Sequence, residues 1–166
     1  MKLLSKWTLW VHLSYDTKWT LDSYTNIGDV DCVEDLYGMM YSLNELLRSC
    51  MIFFMKSHVT PMWEDKHNCT GGAYSYKISW DKIGSSWRKL VFVIAGNGDN
   101  IDDGIITGLS LSPKRNFFIM KVWTTRESKE LEKYLYSLNM QTESILYKSH
   151  CEDDVNRSEE VEPSTV

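Results

Sequence analysis

Residues 105–124 read IITGLSLSPKRNFFIMKVWT, two apolar stretches separated by a short basic turn. Each stretch, 105–111 and 117–124, has the length and composition of a strand, while residues 112–116 contain the serine, proline and asparagine typical of turns. Strands joined by so short a turn pair in antiparallel fashion. The segment therefore predicts a β-hairpin, and with it a sheet built at least partly from hairpins.

Further strands are indicated by alternating or continuous apolar residues. Residues 7–13 place Trp7, Leu9, Val11 and Leu13 at every second position, which is the period of a strand. The other predicted strands cover residues 51–55, 74–80 and 142–147.

Three segments have the apolar spacing of amphipathic helices. The first is predicted over residues 32–48, the second ends at Gly96, and the third carries Leu131 and Leu135 on one face. Their predicted N-terminal caps are, in order, Asp31 with Glu34, then Ser85 or Ser86, and then Thr125. Because strands alternate with helices and several connections are hairpins, we predict an α+β fold with helices on one face of an antiparallel or mixed sheet.

Length and charge limit the possible domain organisation of the chain. Its 166 residues are 43% apolar and 13% aromatic, enough for one domain with one core, which we place at residues 1–150. Residues 151–166 form an acidic tail that accounts for the net charge of −5 and is predicted to be mobile. The neutral body can bind one nucleotide end, but it cannot bind a long duplex by charge alone.

Cysteine spacing and the N-terminus exclude several classes of protein. The four cysteines form no Cys-x-x-Cys pair, so we expect neither a zinc site nor a disulfide scaffold, and no cofactor. Lys2, Lys6 and His12 interrupt the N-terminal apolar residues, which excludes a signal peptide, and no stretch is long enough to span a membrane. We expect a soluble monomer in the cytoplasm, with a nuclear fraction allowed.

Trp63 and Glu64 form the most informative pair in the chain. An indole face attracts positive charge and a carboxylate accepts from N–H donors, so the pair suits a flat cation such as 7-methylated guanine. A polar turn containing Gly71-Gly72 follows before the strand predicted at 74–80, so we expect the pair at the mouth of a hairpin loop. A core tryptophan beside a solvated carboxylate is also common in proteins without such a site. The functional interpretation of this pair therefore depends on the other residues of the chain.

Several short stretches supply that context over residues 7–150. They are Trp7-x-Leu9-Trp10, Lys18-Trp19, Val33-Glu34-Asp35, Pro61-Met62-Trp63-Glu64-Asp65 with Asn68 and Gly71-Gly72, Val122-Trp123-Thr124-Thr125, and Tyr147-x-Ser149-His150. In order and spacing they resemble the eukaryotic translation initiation factor 4E family, which binds the 7-methylguanosine cap of messenger RNA. The resemblance implies a curved, largely antiparallel sheet of about eight strands, with three helices on the convex face and the ligand on the concave face.

The resemblance also implies roles for four residues. Trp19 and Trp63 match the rings that sandwich the methylated base, Glu64 matches the carboxylate that reads the guanine edge, and Trp123 matches the ring that touches the methyl group. A desolvated cation between ring faces gains about 2 kcal/mol or more. We predict a binder of capped mRNA in translation initiation or its regulation; the alternative is a repressor or decoy that does not engage the usual scaffold.

Phosphate recognition departs from the family pattern. Lys114 stands where an arginine is usual, and Ile119 replaces a second basic residue. Strand alternation places Lys121 on the same face as Trp123. We therefore expect Lys121, together with Lys114 and Arg115 in the turn, to contact the phosphates.

The helical face, where the family binds scaffold or regulatory peptides, also differs. Val33 is retained, but Tyr37 stands where a tryptophan is usual. After Trp87, the pair Arg88-Lys89 replaces an apolar and an acidic residue. A reversed charge repels a basic peptide, so we expect a partner groove with altered specificity.

Two other classes of function use some of the same residue types. A carbohydrate-binding module is one, because paired tryptophans also stack on sugar faces. An enzyme using Asp65, His67 and Cys69 is the other. Closeness within one polar turn does not give the geometry that a nucleophile and its base need, so we expect no catalytic residues. His150 is predicted to be a hydrogen-bonded structural residue.

Overall fold

Seven strands form one open, curved sheet in the computed structural model, which describes residues 1–96, 104–140 and 144–151. The strands are β1 Lys2–Leu13, β2 Tyr24–Cys32, β3 Cys50–Lys56, β4 Gly72–Ile78, β5 Ile106–Pro113, β6 Phe118–Thr124 and β7 Ile145–Ser149. Their order is β2-β1-β3-β5-β6-β4-β7, and all neighbouring pairs are antiparallel. The resemblance implied about eight strands, and the described residues form seven.

Three α-helices complete the predicted α+β fold. They are α1 Val33–Ser42, α2 Ile83–Gly96 and α3 Lys129–Ser137, with 3-10 helices at Leu21–Ser23 and Leu43–Arg48. All three helices contribute apolar residues to one core, which they share with alternate residues of the strands. The helices therefore cover one face of the sheet, as the sequence predicted.

The opposite, concave face carries a smaller cluster of its own. Its buried members are Phe53, Met55, Val59, Ala73 and Trp123, and none of them comes from a helix. Because side chains alternate along a strand, β3 supplies both this cluster and the main core. The concave face is thus apolar and uncovered by helices, which leaves it available for a ligand.

The hairpin predicted at residues 105–124 is confirmed. β5 and β6 pair from Ile106 opposite Thr124 to Pro113 opposite Phe118. At the turn, the backbone N–H of Lys114 donates to the carbonyl oxygen of Phe117 at 2.8 Å. This hairpin places Lys121 and Trp123 near the centre of the sheet.

The capping box predicted for α1 is wrong. Cys32 precedes the helix and no side chain caps it. The carboxylate of Asp31 instead pairs with Lys2 Nζ at 2.6 Å, and that of Glu34 binds the amino group of Met1 at 2.6 Å. Both carboxylates therefore pair with residues at the start of the chain and do not cap the helix. A 3-10 helix continues the segment to Arg48.

The other two predicted caps are also displaced. α2 begins at Ile83, and the hydroxyl of Ser85 already donates to the carbonyl of Lys82 at 3.0 Å within the helical turn. The cap of α3 is Ser128, whose Oγ accepts from the Leu131 N–H at 3.2 Å. Thr125 instead donates its N–H to the Ile105 carbonyl at 2.9 Å and so extends the sheet.

The connection that carries Trp63 is a crossover and not the predicted hairpin loop. β3 and β4 lie on opposite sides of the β5–β6 pair. Residues 57–71 connect β3 to β4 and must therefore pass over the ends of β5 and β6. The last strand begins at Ile145 and not at residue 142; residues 142–143 and the acidic tail from residue 152 lie outside the described residues. No helix in the described ranges is long and apolar enough to cross a membrane.

Candidate functional site

A pocket of about 210 Å³ opens on the concave face and gathers most of the predicted site. Five of the predicted site residues line it: Trp19, Trp63, Glu64, Lys121 and Trp123. Lys114 and Arg115 are exposed in the β5–β6 turn and do not line it. The remaining lining residues are Tyr24, Met51, Phe53, Pro61 and His150.

Asp65 fastens the loop that presents Trp63 and Glu64. Its carboxylate accepts from the backbone N–H and the hydroxyl of Thr60 at 2.8 and 2.7 Å. It also accepts from the backbone N–H of His67 at 2.8 Å and lies 2.9 Å from His67 Nδ1. Burial alone would raise the pKa of Asp65, but these hydrogen bonds outweigh it and lower the pKa to about 2.

Asn68 joins the same loop to the sheet. It is fully buried, its Nδ2 donates to the carbonyl of Met62 at 2.8 Å, and its Oδ1 accepts from the hydroxyl of Thr107 at 2.7 Å. The carbonyl oxygen of Asn68 accepts from Nδ1 of His150 at 2.8 Å, which confirms the structural role predicted for His150. The loop is therefore rigid directly after the Trp63-Glu64 pair.

Gly71 lets the end of this loop lie against β6. A Cβ at this position would come within 1.8 Å of the backbone oxygen of Thr124. Any side chain would therefore push the loop away from the strand. The paired glycines therefore allow two backbone segments to approach closely. From the sequence alone, they indicated only a turn.

We expect Asp65→Asn to destabilise the protein by about 2–3 kcal/mol, because it sets an amide NH₂ against groups that donate hydrogen bonds. A carboxyl whose pKa is lowered stabilises the fold above its unfolded pKa of about 3.9 and ceases to do so as the pH falls through its folded value. The difference in free energy of unfolding between Asp65→Asn and the unmodified chain, measured with urea, should thus be largest at pH 7 and should vanish near pH 2. Glu45→Gln, at an exposed site on the helical side and outside this loop, is the control. A stability difference for Asp65→Asn that is independent of pH would contradict this role.

Trp123 forms one wall of the pocket. Its Nε1–H donates to the hydroxyl of Ser110 at 2.9 Å, and only 8% of the residue is exposed. Its ring meets Phe53 edge-on at 6.2 Å and lies 5.0 Å from the ring of His150. The orientation of the indole is therefore determined before any ligand arrives.

Glu64 provides an exposed carboxylate with no hydrogen bond or ion pair to any of the described residues. Tyr24 lies near it at the pocket wall. Burial, and to a lesser degree the negative charge of Glu64, raises the pKa of Tyr24 to about 12. Tyr24 thus keeps its phenolic proton, while Glu64 can accept from a ligand.

Sequence reasoning missed the pocket residues Tyr24, Met51 and Phe53. The signal for the last two was the continuous apolar run 51–55, because a strand that is apolar on both faces is covered on both faces. Ile52 enters the main core while Phe53 joins the concave cluster. Tyr24 begins a largely polar strand, and no local pattern distinguishes it.

Residues 2–164 match the family model described as eukaryotic initiation factor 4E. The chain belongs to the eukaryotic initiation factor 4E family. Among its curated relatives, eukaryotic translation initiation factor 4E of Saccharomyces cerevisiae is 26% identical over 136 residues. That match covers 77% of this chain but 63% of the yeast protein, so the chain spans less than two thirds of that relative.

Solved structures share the fold at low sequence identity. Ascaris suum eIF4E-3 in complex with the m7G cap has a TM-score of 0.78 at 20% identity, covering 90% of this chain and 91% of that one. A schistosome eIF4E complexed with m7GpppA and 4E-BP has a TM-score of 0.80 at 16% identity, covering 99% and 94%. These likenesses agree with the curved, helix-backed sheet of the 4E family.

On the helical face of this 4E family member, an exposed aromatic cluster surrounds Tyr37. The rings of Tyr37 and Tyr41 lie 4.4 Å apart, Phe92 is 6.2 Å from Tyr37, and the Arg88 guanidinium lies 4.9 Å from the Tyr41 ring centre. Val33 at the start of α1 is half-buried.

Two of the predicted groove residues are differently placed. Trp87 is only 1% exposed and belongs to the core, so its ring does not face a partner. Lys89 is exposed and donates from Nζ to the Leu138 carbonyl at 2.6 Å. The aromatic surface on this face is therefore formed by the two tyrosines and Phe92, with Arg88 beside them.

The residues of the enzyme hypothesis do not form a nucleophile and base. His67 Nδ1 is bonded to Asp65, but the Cys69 thiol donates to the Lys66 carbonyl at 3.7 Å. Asp65 and His67 instead hold the loop that carries Glu64.

Proposed function

We propose that this chain binds the 7-methylguanosine 5′ cap of mRNA in the cytoplasm and acts in translation initiation or its regulation, without a catalytic step. The observation that carries the proposal is one concave pocket that contains Trp19, Trp63, Trp123 and the carboxylate of Glu64. The related Ascaris suum structure, with the same fold, is a complex with the m7G cap.

The chemistry of the pocket fits this ligand. Methylation at N7 makes guanine cationic, and indole faces attract a cation. The N1–H and N2–H₂ groups of guanine are neighbouring donors, and a carboxylate can accept from both through charge-assisted bonds. Adenine lacks this pair of donors on its Watson–Crick edge, so Glu64 supports selection of guanine.

Retention on immobilised 7-methylguanosine triphosphate tests this function. The chain should bind the resin and should be released by free 7-methylguanosine diphosphate, but not by the same concentration of guanosine diphosphate. Elution by both nucleotides, or by a simple oligosaccharide, would contradict the proposal.

Lys121 is the residue that we propose for phosphate binding. It lines the pocket two residues before Trp123 on the same face of β6, whereas Lys114 lies outside the pocket in the turn. Charge-assisted hydrogen bonds contribute about 1.5–3 kcal/mol, so Lys121→Met should weaken binding of 7-methylguanosine triphosphate by about tenfold or more.

Lys114→Met is the matched control for this prediction, since it removes the same charge from the neighbouring turn. Its expected effect is at most about threefold, as for other exposed charges. Titration calorimetry with the nucleoside 7-methylguanosine should show no change for either variant. Equal losses for the two lysines would contradict a specific role for Lys121 in phosphate binding.

The helical face is proposed to bind a scaffold or regulatory peptide with altered specificity. A related schistosome structure contains 4E-BP, and this chain presents the Tyr37 and Tyr41 rings beside Arg88. We expect a basic scaffold peptide to bind weakly, because Arg88 beside the Tyr41 ring repels it. Arg88→Glu should raise its affinity by about fivefold, as expected for an exposed charge pair, and Lys82→Glu, outside this aromatic cluster, is the control. Tight binding of the basic peptide to the unmodified chain would contradict this proposal.

A further inference from the structure

His12 lies directly against the ring of Trp19. The two ring centres are 4.2 Å apart and the planes differ by 3°, so the rings are stacked. His12 is only 1% exposed, whereas 41% of Trp19 is exposed. A buried side chain of β1 thus supports a tryptophan in the loop that follows the strand.

A second contact ties His12 to the backbone of the same loop. Nε2 of His12 lies 2.7 Å from the carbonyl oxygen of Lys18, the residue before Trp19. A carbonyl oxygen can only accept, so Nε2 carries the proton and donates. The hydroxyl of Ser23 shares its one proton between the Thr20 carbonyl at 2.7 Å and the Lys18 carbonyl at 3.0 Å. This contact holds the loop on both sides of the tryptophan.

The stack covers the face of Trp19 that is turned away from the ligand site. Trp19 lines the pocket, but His12 does not. Tyr24 packs edge-on against His12 at 4.9 Å and lies 6.4 Å from Trp19, which fills the space beneath both rings. The other face of Trp19 therefore remains available to a base.

Stacking alone does not account for a histidine at this position. Its Nδ1 is buried and has no hydrogen-bond partner among the described residues, an arrangement that costs free energy. A phenylalanine would stack without this cost, but it could not donate to the Lys18 carbonyl. The donor is thus the feature that distinguishes histidine from phenylalanine here.

We propose that His12 is a positioning residue that holds Trp19 in its ligand-binding orientation. An exposed ring on a loop loses conformational freedom when a ligand fixes it, and a ring that is already fixed avoids part of that loss. The proposal rests on the proposed cap-binding function, and it makes the bound base the third ring in a stack of His12, Trp19, base and Trp63.

Two variants at this position separate the stack from the hydrogen bond. His12→Leu removes both contacts and should weaken binding of 7-methylguanosine diphosphate by about tenfold, whereas His12→Phe keeps the stack and should cost about threefold. Tyr15→Leu removes an aromatic ring that is 79% exposed in the same loop and should leave affinity unchanged. Calorimetry gives the affinities, and thermal unfolding shows that each variant is folded.

Fluorine NMR of protein labelled with 5-fluorotryptophan tests the positioning itself. The Trp19 resonance, assigned with Trp19→Phe, should shift towards the solvent-exposed value in ligand-free His12→Leu and shift less in His12→Phe. Affinity of His12→Leu within twofold of the unmodified chain, or an unchanged Trp19 resonance, would overturn the proposal. If leucine prevents folding, an unchanged Trp19 resonance together with unchanged affinity in His12→Phe would overturn it.

The same experiment distinguishes this proposal from the function on which it rests. If the unmodified chain fails to bind the methylated nucleotide, the proposed function is wrong. The Trp19 resonance of the ligand-free variants still shows whether His12 holds the ring.

Discussion

Glu64→Gln is expected to weaken binding of 7-methylguanosine diphosphate by about 100-fold, which corresponds to about 2.7 kcal/mol. The substitution keeps the shape of the side chain but replaces one accepting oxygen with an NH₂ group that faces a guanine donor. One charge-assisted bond is lost and a second polar group is left without a partner, each of which costs about 1–3 kcal/mol. Binding measured by titration calorimetry at constant pH gives the difference directly.

Glu45→Gln is the control for this prediction. Glu45 is an exposed carboxylate in the 3-10 helix on the helical side of the sheet, so its substitution changes the net charge equally without touching the pocket. Its expected effect on affinity is less than about twofold. A loss of less than threefold for Glu64→Gln would show that Glu64 does not read the guanine edge.

Trp63→Leu is expected to reduce affinity for the methylated nucleotide by about 30-fold, because the cation loses a ring face worth about 2 kcal/mol. Leucine keeps an apolar surface in the pocket but has no π system to attract the positive charge. Affinity for unmethylated guanosine diphosphate should fall less, so the preference for the methylated base should shrink.

Trp63→Phe should cause a smaller loss of affinity for the methylated nucleotide, because phenylalanine keeps an aromatic ring, although a smaller one. Its affinity should lie between those of the tryptophan and leucine forms, and thermal unfolding should show that all three remain folded. An equal loss for methylated and unmethylated nucleotides would indicate ordinary apolar contact in place of charge recognition.

Patterns confined to a few neighbouring residues predicted the structure best. The hairpin at 105–124 and the alternation of Trp7, Leu9 and Val11 were correct, since turn chemistry and the period of a strand act locally. The cap predicted for α1 failed, because Asp31 and Glu34 pair with Lys2 and Met1, which lie far from them in the sequence and outside any local pattern.

Contacts between residues distant in sequence account for the rest. Segment 57–71 follows one strand and precedes another, as a hairpin loop would, and only the sheet order shows that it crosses two strands. The support of Trp19 by His12 depends on the fold of the following loop, and in the sequence His12 was only a polar interruption of an apolar segment. Trp19, Trp63 and Trp123 were placed by resemblance, and the structure brings all three to one pocket.

The ratio of dissociation constants for guanosine diphosphate and 7-methylguanosine diphosphate tests the central claim most directly. The two ligands differ by one methyl group and one positive charge, so other contacts cancel in the ratio. Recognition of the cation by Trp19 and Trp63 predicts that the methylated nucleotide binds about 30-fold or more tightly. Equal dissociation constants within about threefold, a difference of about 0.7 kcal/mol, would contradict it.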